Sequence, residues 1–372
     1  MEQIVYLCGG LDRKQFLNMG YLISGIQQVG IGVENFTEAW KWYIDIFGVD
    51  VRVLEDDTVA ERMLPYTGGV SQKRHACIAL NLQGGGGFEI WQYSQRKPQK
   101  CPFEVQMGDL GVFAAKIKSR DVAAFRELTL KKYDKVGPLS ALPDGTPCFL
   151  LTDPWGNTFQ IVEDKSIYIE DHKLCGGVVG AMVGTRDIDA LMPLYTTVLG
   201  YDKVVYDRQG KFEDFGFMKG GEGTFRRVLL ASSSKRKGAL APVYGDSTIE
   251  LVQALDREPR KIYEGRYWGD PGFIQLCFDV TDMRSLEQAC RKAGYPFTVD
   301  SCPNGEKFDM GEASGHFTYI EDADGTLIEF VEAHKITVLK KPHIYIDMLA
   351  RKRDKALPKI MLRLMGLFRV RF

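Results

Sequence analysis

The sequence predicts an α+β fold assembled from four tandem copies of one small βαβββ module, followed by a basic helical tail. Three observations carry this. A stretch repeats at an offset of 152 residues: IQQVGIGVENFTEAWKWYIDIFGVD at 26–50 and VVGAMVGTRDIDALMPLYTTVLGYD at 178–202, with Tyr43 over Tyr195 and Gly48 over Gly200. Internal similarity at a fixed offset is the mark of a repeat architecture. Two further units fill the gaps, opening on the apolar strands LGVFAAKI (110–117) and FIQLCFDV (273–280). They close on hairpins with a tight polar turn, LLTDPWGNTFQIVE (150–163) and YIEDADGTLIEFVE (319–332). Finally, charge is uneven: residues 335–372 hold eleven Lys or Arg and two Asp, a net +9 on a chain whose total is −1, so the other 334 residues carry −10.

Each copy of the duplicated stretch reads as an apolar strand, a polar turn and an amphipathic helix. Ala39, Trp42, Tyr43, Ile46 and Phe47 follow the i, i+3, i+4, i+7, i+8 pattern, and Leu191, Leu194, Tyr195, Val198 and Leu199 repeat it. Asn35 with Glu38 three residues on makes a capping-box pattern, and Gly48 and Gly200 stand where a helix-ending glycine belongs. Helices of the other two units start near Asp121 and Asp282. The order strand, helix, three strands then recurs at about 23–93, 107–165, 176–255 and 272–333. These bounds give an N-terminal extension (1–22), a first half with modules one and two (23–170), a second half with modules three and four (171–334), and the basic tail (335–372).

Hydrophobic content of 45% and charged content of 26% fit a folded globular chain. No apolar run approaches the roughly 18 residues of a membrane-spanning helix. The start, MEQIVYLCGG, lacks a basic-then-apolar leader. Eight cysteines form no C-x-x-C pair, and several, such as Cys148 and Cys277, sit inside apolar strands. Scattered thiols of this kind point to a reducing compartment, so a cytoplasmic location is expected, with no nucleic-acid partner.

A strand ending in V-x-D or similar, a helix with Tyr before Gly, and a last strand that follows D-x-x-G and carries E-[LIF]-V together resemble the vicinal oxygen chelate superfamily. That group includes glyoxalase I, methylmalonyl-CoA epimerase, extradiol dioxygenases and bleomycin-resistance proteins. The resemblance covers about 23–333. It implies that modules pair into two cup-shaped mixed β-sheets with helices outside, and that metal ligands come from the first and last strands of each module. Strand alternation locates those positions here. Module one offers Gln28 and Glu89, module two Val112 (or Ala114, with the strand aligned two residues later) and Gln160, module three Gly180 and Glu250, module four Gln275 and Glu329.

Pairing one with two and three with four leaves both sets incomplete. Pairing one with four and two with three gathers Gln28, Glu89, Gln275 and Glu329 in one cup and leaves Val112, Gln160, Gly180 and Glu250 in an inert one. The second arrangement is expected, because it alone yields a complete set and it resembles the fused, monomeric form of glyoxalase I. The all-oxygen set suits one divalent ion, Mg²⁺, Mn²⁺, Fe²⁺, Ni²⁺, Co²⁺ or Zn²⁺. The implied activity is that of a metal-dependent lyase or isomerase acting through an enediolate or enolate of a small oxygenated substrate, with Glu329 as base, by resemblance to glyoxalase I, and Glu89 as the second catalytic carboxylate.

Neighbouring expectations follow from the same alternation. His316 and Thr318 are placed beside Glu329 and His75 beside Glu89, with Trp91 and Tyr93 lining the cup. Arg74, Arg226 and Arg227 are candidates to hold an anionic substrate group. QGGGGFEIW lacks the Lys-Ser/Thr of a phosphate loop and leads into a strand. A non-catalytic protein that sequesters a small molecule is the competing reading. An extradiol dioxygenase ranks below both, since no His stands at any of the four first-strand positions. For the tail, read as a helix with Ile360, Met361, Leu364, Met365 and Phe368 on one stripe, docking onto the acidic body or a second subunit is the first expectation. Peripheral contact of 340–372 with an anionic membrane is the second.

Overall fold

The computed structural model describes residues 20–305, 308–309, 314–339 and 344–372; most of the expected N-terminal extension, 1–19, lies outside the described residues. Module one comprises β1 (Leu22–Gly32), α1 (Phe36–Phe47), β2 (Val51–Ala60), β3 (Gln72–Leu80) and β4 (Gly87–Tyr93). Module two comprises β5 (Gly111–Ser119), α2 (Val122–Leu130), β6 (Ser140–Ala141), β7 (Pro147–Thr152) and β8 (Thr158–Glu163). Module three comprises β9 (Cys175–Gly184), α3 (Ile188–Pro193), β10 (Lys203–Gly210), β11 (Phe225–Ala231), the short α4 (Ala241–Tyr244) and β12 (Thr248–Ala254). Module four comprises β13 (Gly272–Thr281), α5 (Met283–Lys292), β14 (Val299–Asp300), β15 (Phe308–Asp309), β16 (Ser314–Glu321) and β17 (Leu327–Leu339). The tail adds β18 (Ile344–Asp347) and α6 (Lys359–Met365).

Local chemistry accounts for the helix ends. The Asn35 carboxamide oxygen accepts from the Glu38 amide at 3.2 Å, and Gly48 closes α1 in a left-handed conformation, φ 64°, its amide bonded to the Ile44 carbonyl. The Asp121 and Asp282 carboxylates likewise accept from amides three residues on and cap α2 and α5. In the duplicate, Asp187 caps α3, and the helix then widens into a π turn over Leu194–Val198. Pro193 has no N–H to give to the Asp189 carbonyl, so the regular ladder cannot continue through it.

Strands assemble across the two halves of the chain. One sheet runs β14-β16-β17-β13-β1-β4-β3-β2, with β15 on β16 and β18 on β17; it joins modules four and one. The other runs β10-β11-β12-β9-β5-β8-β7-β6 and joins modules three and two. Residues 23–170 and 171–334 thus each give one module to each sheet. At the two seams β1 lies antiparallel to β13, and β5 antiparallel to β9. Both sheets curl into cups. One apolar core runs between them through all four modules: Val29, Ile31, Ile117, Val183 and Leu276 from first strands meet Trp40, Tyr43, Leu191 and Leu286 from helices.

Two features lock the sheets to each other. Tyr43 on α1 donates its hydroxyl to Asp153 in the module-two turn at 2.8 Å, and Tyr195 donates to Asp322 in the module-four turn at 3.2 Å. These are the Tyr-before-Gly and D-x-x-G positions of the repeat, and all four side chains are buried. The glycine run before β4 is a second contact. Gly86 and Val178 exchange backbone bonds of 2.7 and 2.8 Å between the sheets. A β-carbon on Gly177 would lie 2.1 Å from the Gly86 carbonyl oxygen, so glycine alone permits this approach.

The tail folds back on the body. Arg353 pairs with Asp282 at 3.2 Å, the Leu357 amide donates to the Ala239 carbonyl at 2.8 Å, and Arg369 reaches Asp50 at 2.6 Å and Asp171 at 2.9 Å. Phe372 stacks edge-on against Trp40. The buried face of α6 is set by Leu362, with Met365 packed beside it against Val51, Leu80, Val243 and Tyr244. Ile360, placed on the inner stripe by helical spacing, is exposed instead; the short helix turns its most enclosed contact, Leu362, inward. Among the described residues no helix is long and apolar enough to cross a membrane.

The Tyr43–Asp153 clamp should matter to stability. Tyr43→Phe removes one donor from a buried carboxylate and is expected to cost about 1–3 kcal/mol in urea unfolding, with the fold retained. An unchanged unfolding midpoint would show that the bond contributes nothing.

Candidate functional site

The first cup is built on the β1–β13 seam. Gly30 pairs with Gln275 across it, and Gln28 with Cys277. Parallel neighbours on each side bring Glu89 beside Gly30 and Glu329 beside Cys277. Four side chains from four strands therefore meet. Gln275 Nε2 donates to Glu89 Oε2 at 2.7 Å and lies 3.4 Å from Glu329 Oε2, while Gln28 Nε2 donates to Glu89 Oε2 at 3.3 Å. A β-carbon on Gly30 would stand 2.6 Å from the Gln275 carboxamide, so the glycine makes the room in which that side chain turns toward both carboxylates.

Burial governs the electrostatics. Gln28, Gln275 and Glu329 are buried, and Glu89 keeps a partial opening to the cavity. Glu329 is pushed up to about 8, first by burial and then by the charge of Glu89; bonds from Tyr319, Cys277 and Gln275 act against the rise. Burial also raises Glu89, against the pull of the Arg74 guanidinium. Two close carboxylates bridged by one carboxamide cannot both stay ionised cheaply; a proton or a cation must neutralise the pair. The donor set fits a divalent ion in one specific respect. Gln28 Oε1 is buried without a hydrogen-bond partner, while the Nε2 of the same carboxamide donates to Glu89. Gln275 differs from its expected role as ligand: its oxygen accepts from the Trp268 indole at 3.2 Å, leaving its N–H groups to face the carboxylates.

Above this cluster lies a cavity of about 790 Å³. Trp91, Trp268, Tyr319, Phe317 and Tyr244 line it, and Met361, Leu362 and Met365 of the tail form part of its wall. Trp91 thus stands where strand alternation put it. Tyr93 stands behind, edge-on to Trp91, its hydroxyl bonded to the Trp268 carbonyl, and so props the aromatic wall.

Several expected neighbours are elsewhere. The 322–326 connection is five residues long, bound by Asp322 Oδ1 to the amides of Asp324 and Thr326, and it sets Tyr319 opposite Glu329. That odd count flips the strand: Thr318 faces the helix layer and donates to Met283 Sδ at 3.5 Å. His316 lines the cavity but pairs with Asp300 at 2.6 Å and stands opposite Glu332, three residues along β17 from Glu329. His75 sits opposite Gln92, one residue out of phase with Glu89, and packs on Phe36 with Glu55 at 3.2 Å. Arg74 lines the cavity but is held by Asp56 at 2.8 Å. Arg226 points outward to Asp189 and Asp207, and Arg227, its alternate, points into the second cup.

That second cup holds a cation of its own. Gln160 pairs with Lys116 along β5, and Glu250 with Met182 along β9. A bulge between Val112 and Ala114 sends Val112 into the helix-side core, so Ala114 takes the cup position. The Lys116 ammonium, buried, lies 2.6 Å from both Gln160 Oε1 and Glu250 Oε2. Arg227 bonds the other Glu250 oxygen at 2.5 Å and Asp214 at 2.7 Å, and Tyr206 donates to Glu250 at 2.8 Å. Burial works to raise Glu250, but the charges of Arg227 and Lys116 outweigh it and hold the carboxyl at about 2. Lys116 was missed in the sequence because LGVFAAKI was read for its apolar residues; a lone lysine flanked by Ala115 and Ile117 in a buried strand was the available signal.

No family model matches the chain, and no curated protein matches it. Among solved structures it is similar to a "putative dioxygenase" from Bacillus subtilis, at 16% identity over 84% of this chain and 86% of that one, with a TM-score of 0.53. It is also similar to a mutant of glyoxalase I from Zea mays, at 13% identity over 83% and 93%, with a TM-score of 0.51. Together with the two curled sheets, these likenesses show that the chain shares the fold of these structures, here built from four modules in two cups.

Two outcomes are expected from the electrostatics. Glu329 ionises near 8 in the fold and near 4.3 in the unfolded chain, so the folded state keeps a proton that the unfolded chain has released. This contribution is full below about pH 4 and is lost as pH rises toward 8, at up to about 1.4 kcal/mol per unit. Thermal melts of chelator-treated protein should fall across that window, and less steeply in Glu329→Gln; identical slopes would refute the shift. In the second cup, Lys116→Met should cost about 3–5 kcal/mol, because it strips one cation from a buried carboxylate. A melting temperature equal to that of the unsubstituted protein would contradict this.

Proposed function

We propose that the first cup is the site of a divalent-metal-dependent lyase or isomerase, in which Glu329 moves a proton at a carbon next to an oxygenated group of a small substrate. The observation that supports this reading most is the meeting of two buried carboxylates, Glu89 and Glu329, with the unpartnered Gln28 oxygen under a large aromatic-lined cavity. Gln28, Glu89 and Glu329 would hold the ion, while Gln275, whose oxygen is engaged by Trp268, fixes the two carboxylates by donation. A bound divalent ion in such a place stabilises negative charge developing on substrate oxygens.

The chain's own groups supply the rest. Burial and the charge of Glu89 raise Glu329 in the metal-free fold, and a bound cation would offset that rise, leaving an ionised carboxylate able to accept a proton from the substrate carbon and return it. Trp91, Trp268 and Tyr319 surround it with aromatic surface, and a substrate seated among them would displace water and strengthen each charge interaction below. The second cup has no comparable vacancy for a cation, because Lys116 and Arg227 already neutralise Glu250.

A second reading, sequestration of an apolar small molecule without turnover, is favoured by one observation: a shared proton can satisfy the Glu89–Glu329 pair as well as a metal can. Titration with Mn²⁺ separates the two. One ion per chain should bind, more tightly at pH 8 than at pH 6 and with proton release, and Glu89→Gln or Glu329→Gln should each weaken it at least about tenfold. Deuterium exchange at the carbon next to the carbonyl of α-hydroxyketone probes should fall by about 10²–10⁴ in Glu329→Gln. Absence of both Mn²⁺ uptake and exchange, with retained binding of apolar fluorophores, would overturn the enzyme in favour of sequestration.

A further inference from the structure

We propose that the C-terminal segment 349–372 docks the protein on an anionic lipid surface through the side turned away from the cavity. Helix α6 is apolar on two sides. Its inner side, Met361, Leu362 and Met365, walls the cavity. Its outer side presents Ile360, 60% exposed, and Leu367 in the turn that follows, 72% exposed, at i and i+7 with the exposed Arg363 between them. A helix that only covered the cavity would carry polar residues outward.

Much of the charge around this strip is left over from docking. Arg353 and Arg369 are engaged by body carboxylates, but among the described residues no carboxylate lies within 4 Å of Lys352, Lys355, Lys359, Arg363 or Arg371. Arg351, Lys352 and Lys355 also line a concavity of about 320 Å³ with Ala356 and Pro358, and Arg351 Nε is buried there without a partner. A basic hollow of that size admits a phosphate-bearing headgroup, and the exposed apolar side chains of α6 and the turn after it are the kind that enter the boundary between headgroups and acyl chains. A nucleic acid would use the cations but gain nothing from Ile360 and Leu367, which is why a lipid surface is the better match.

The full chain is tested by cosedimentation with vesicles of phosphatidylcholine containing about 30 mol % phosphatidylserine, and with pure phosphatidylcholine vesicles. Binding is expected to the anionic vesicles only, and to weaken as salt is raised. Lys352→Glu with Lys355→Glu should lower the partition coefficient by at least about 25-fold, taking roughly fivefold for each cation lost. Ile360→Ser with Leu367→Ser should also weaken binding, with less effect on its salt dependence. All four positions lie at the surface, and equal melting curves confirm that the variants fold. The proposal is overturned by failure to bind anionic vesicles, by equal binding to neutral ones, by indifference to both double variants, or by retention on an RNA oligonucleotide in place of vesicles.

Discussion

Everything at the site depends on one antiparallel seam, β1 against β13. These strands are about 250 residues apart in the chain, yet their pairing puts Gly30 opposite Gln275 and Gln28 opposite Cys277. Each then carries a parallel partner that supplies a carboxylate. Without the seam, Glu89 and Glu329 would each lose the enclosure that raises its ionisation, and Glu329 would also lose the nearby charge of Glu89. The raised Glu329 carboxyl is therefore a property of the assembled sheet and not of any one module. The seam is in turn fixed from outside. Tyr43–Asp153 ties module one to module two and Tyr195–Asp322 ties module three to module four, each across the two sheets, while the sheets themselves pair one with four and two with three.

The two cups show what the same backbone does with different side chains. In each, a seam between antiparallel first strands carries a carboxylate on a flanking parallel strand. In the first cup two carboxylates face each other and one amide oxygen lacks a partner. In the second, Lys116 and Arg227 bracket Glu250 and every charge is met. The difference in charge balance, two carboxylates bridged by an amide against two carboxylates (Glu250 and Asp214) met by Lys116 and Arg227, is the reason the proposed proton and metal chemistry is assigned to the first cup. It also accounts for the opposite shifts: Glu329 near 8, Glu250 near 2.

The tail links the site to the outside of the molecule. From 349 onward its basic residues fall into two groups, those neutralised by Asp50, Asp171 and Asp282 and those with no carboxylate beside them among the described residues. The first group holds the segment against the acidic body and seats Leu362 and Met365 over the cavity. The +9 charge of residues 335–372 exceeds what docking alone consumes.

Much of the fold was legible in the sequence because it depends on short-range patterns. Alternation in IQQVGIGV and FIQLCFDV separated the helix side from the cup side of β1 and β13, the 3.6-residue spacing located α1, and Asn35, Gly48 and Gly200 marked its ends and those of its duplicate. Gln28, Glu89, Gln275 and Glu329 lie together in one cup, since alternation within a strand survives any tertiary arrangement. What failed was phase across a turn. Thr318 and His75 were carried to the wrong face because a hairpin's parity depends on how many residues its loop uses, and hydrogen bonds such as those of Asp322 decide that number. Only the tertiary structure could show that Gln275 commits its oxygen to Trp268, that Lys116 reaches Glu250 from 134 residues away, and that the tail closes over the cavity. Sequence determines which way a side chain leaves its own strand; what it meets there is decided by strands brought together from distant parts of the chain.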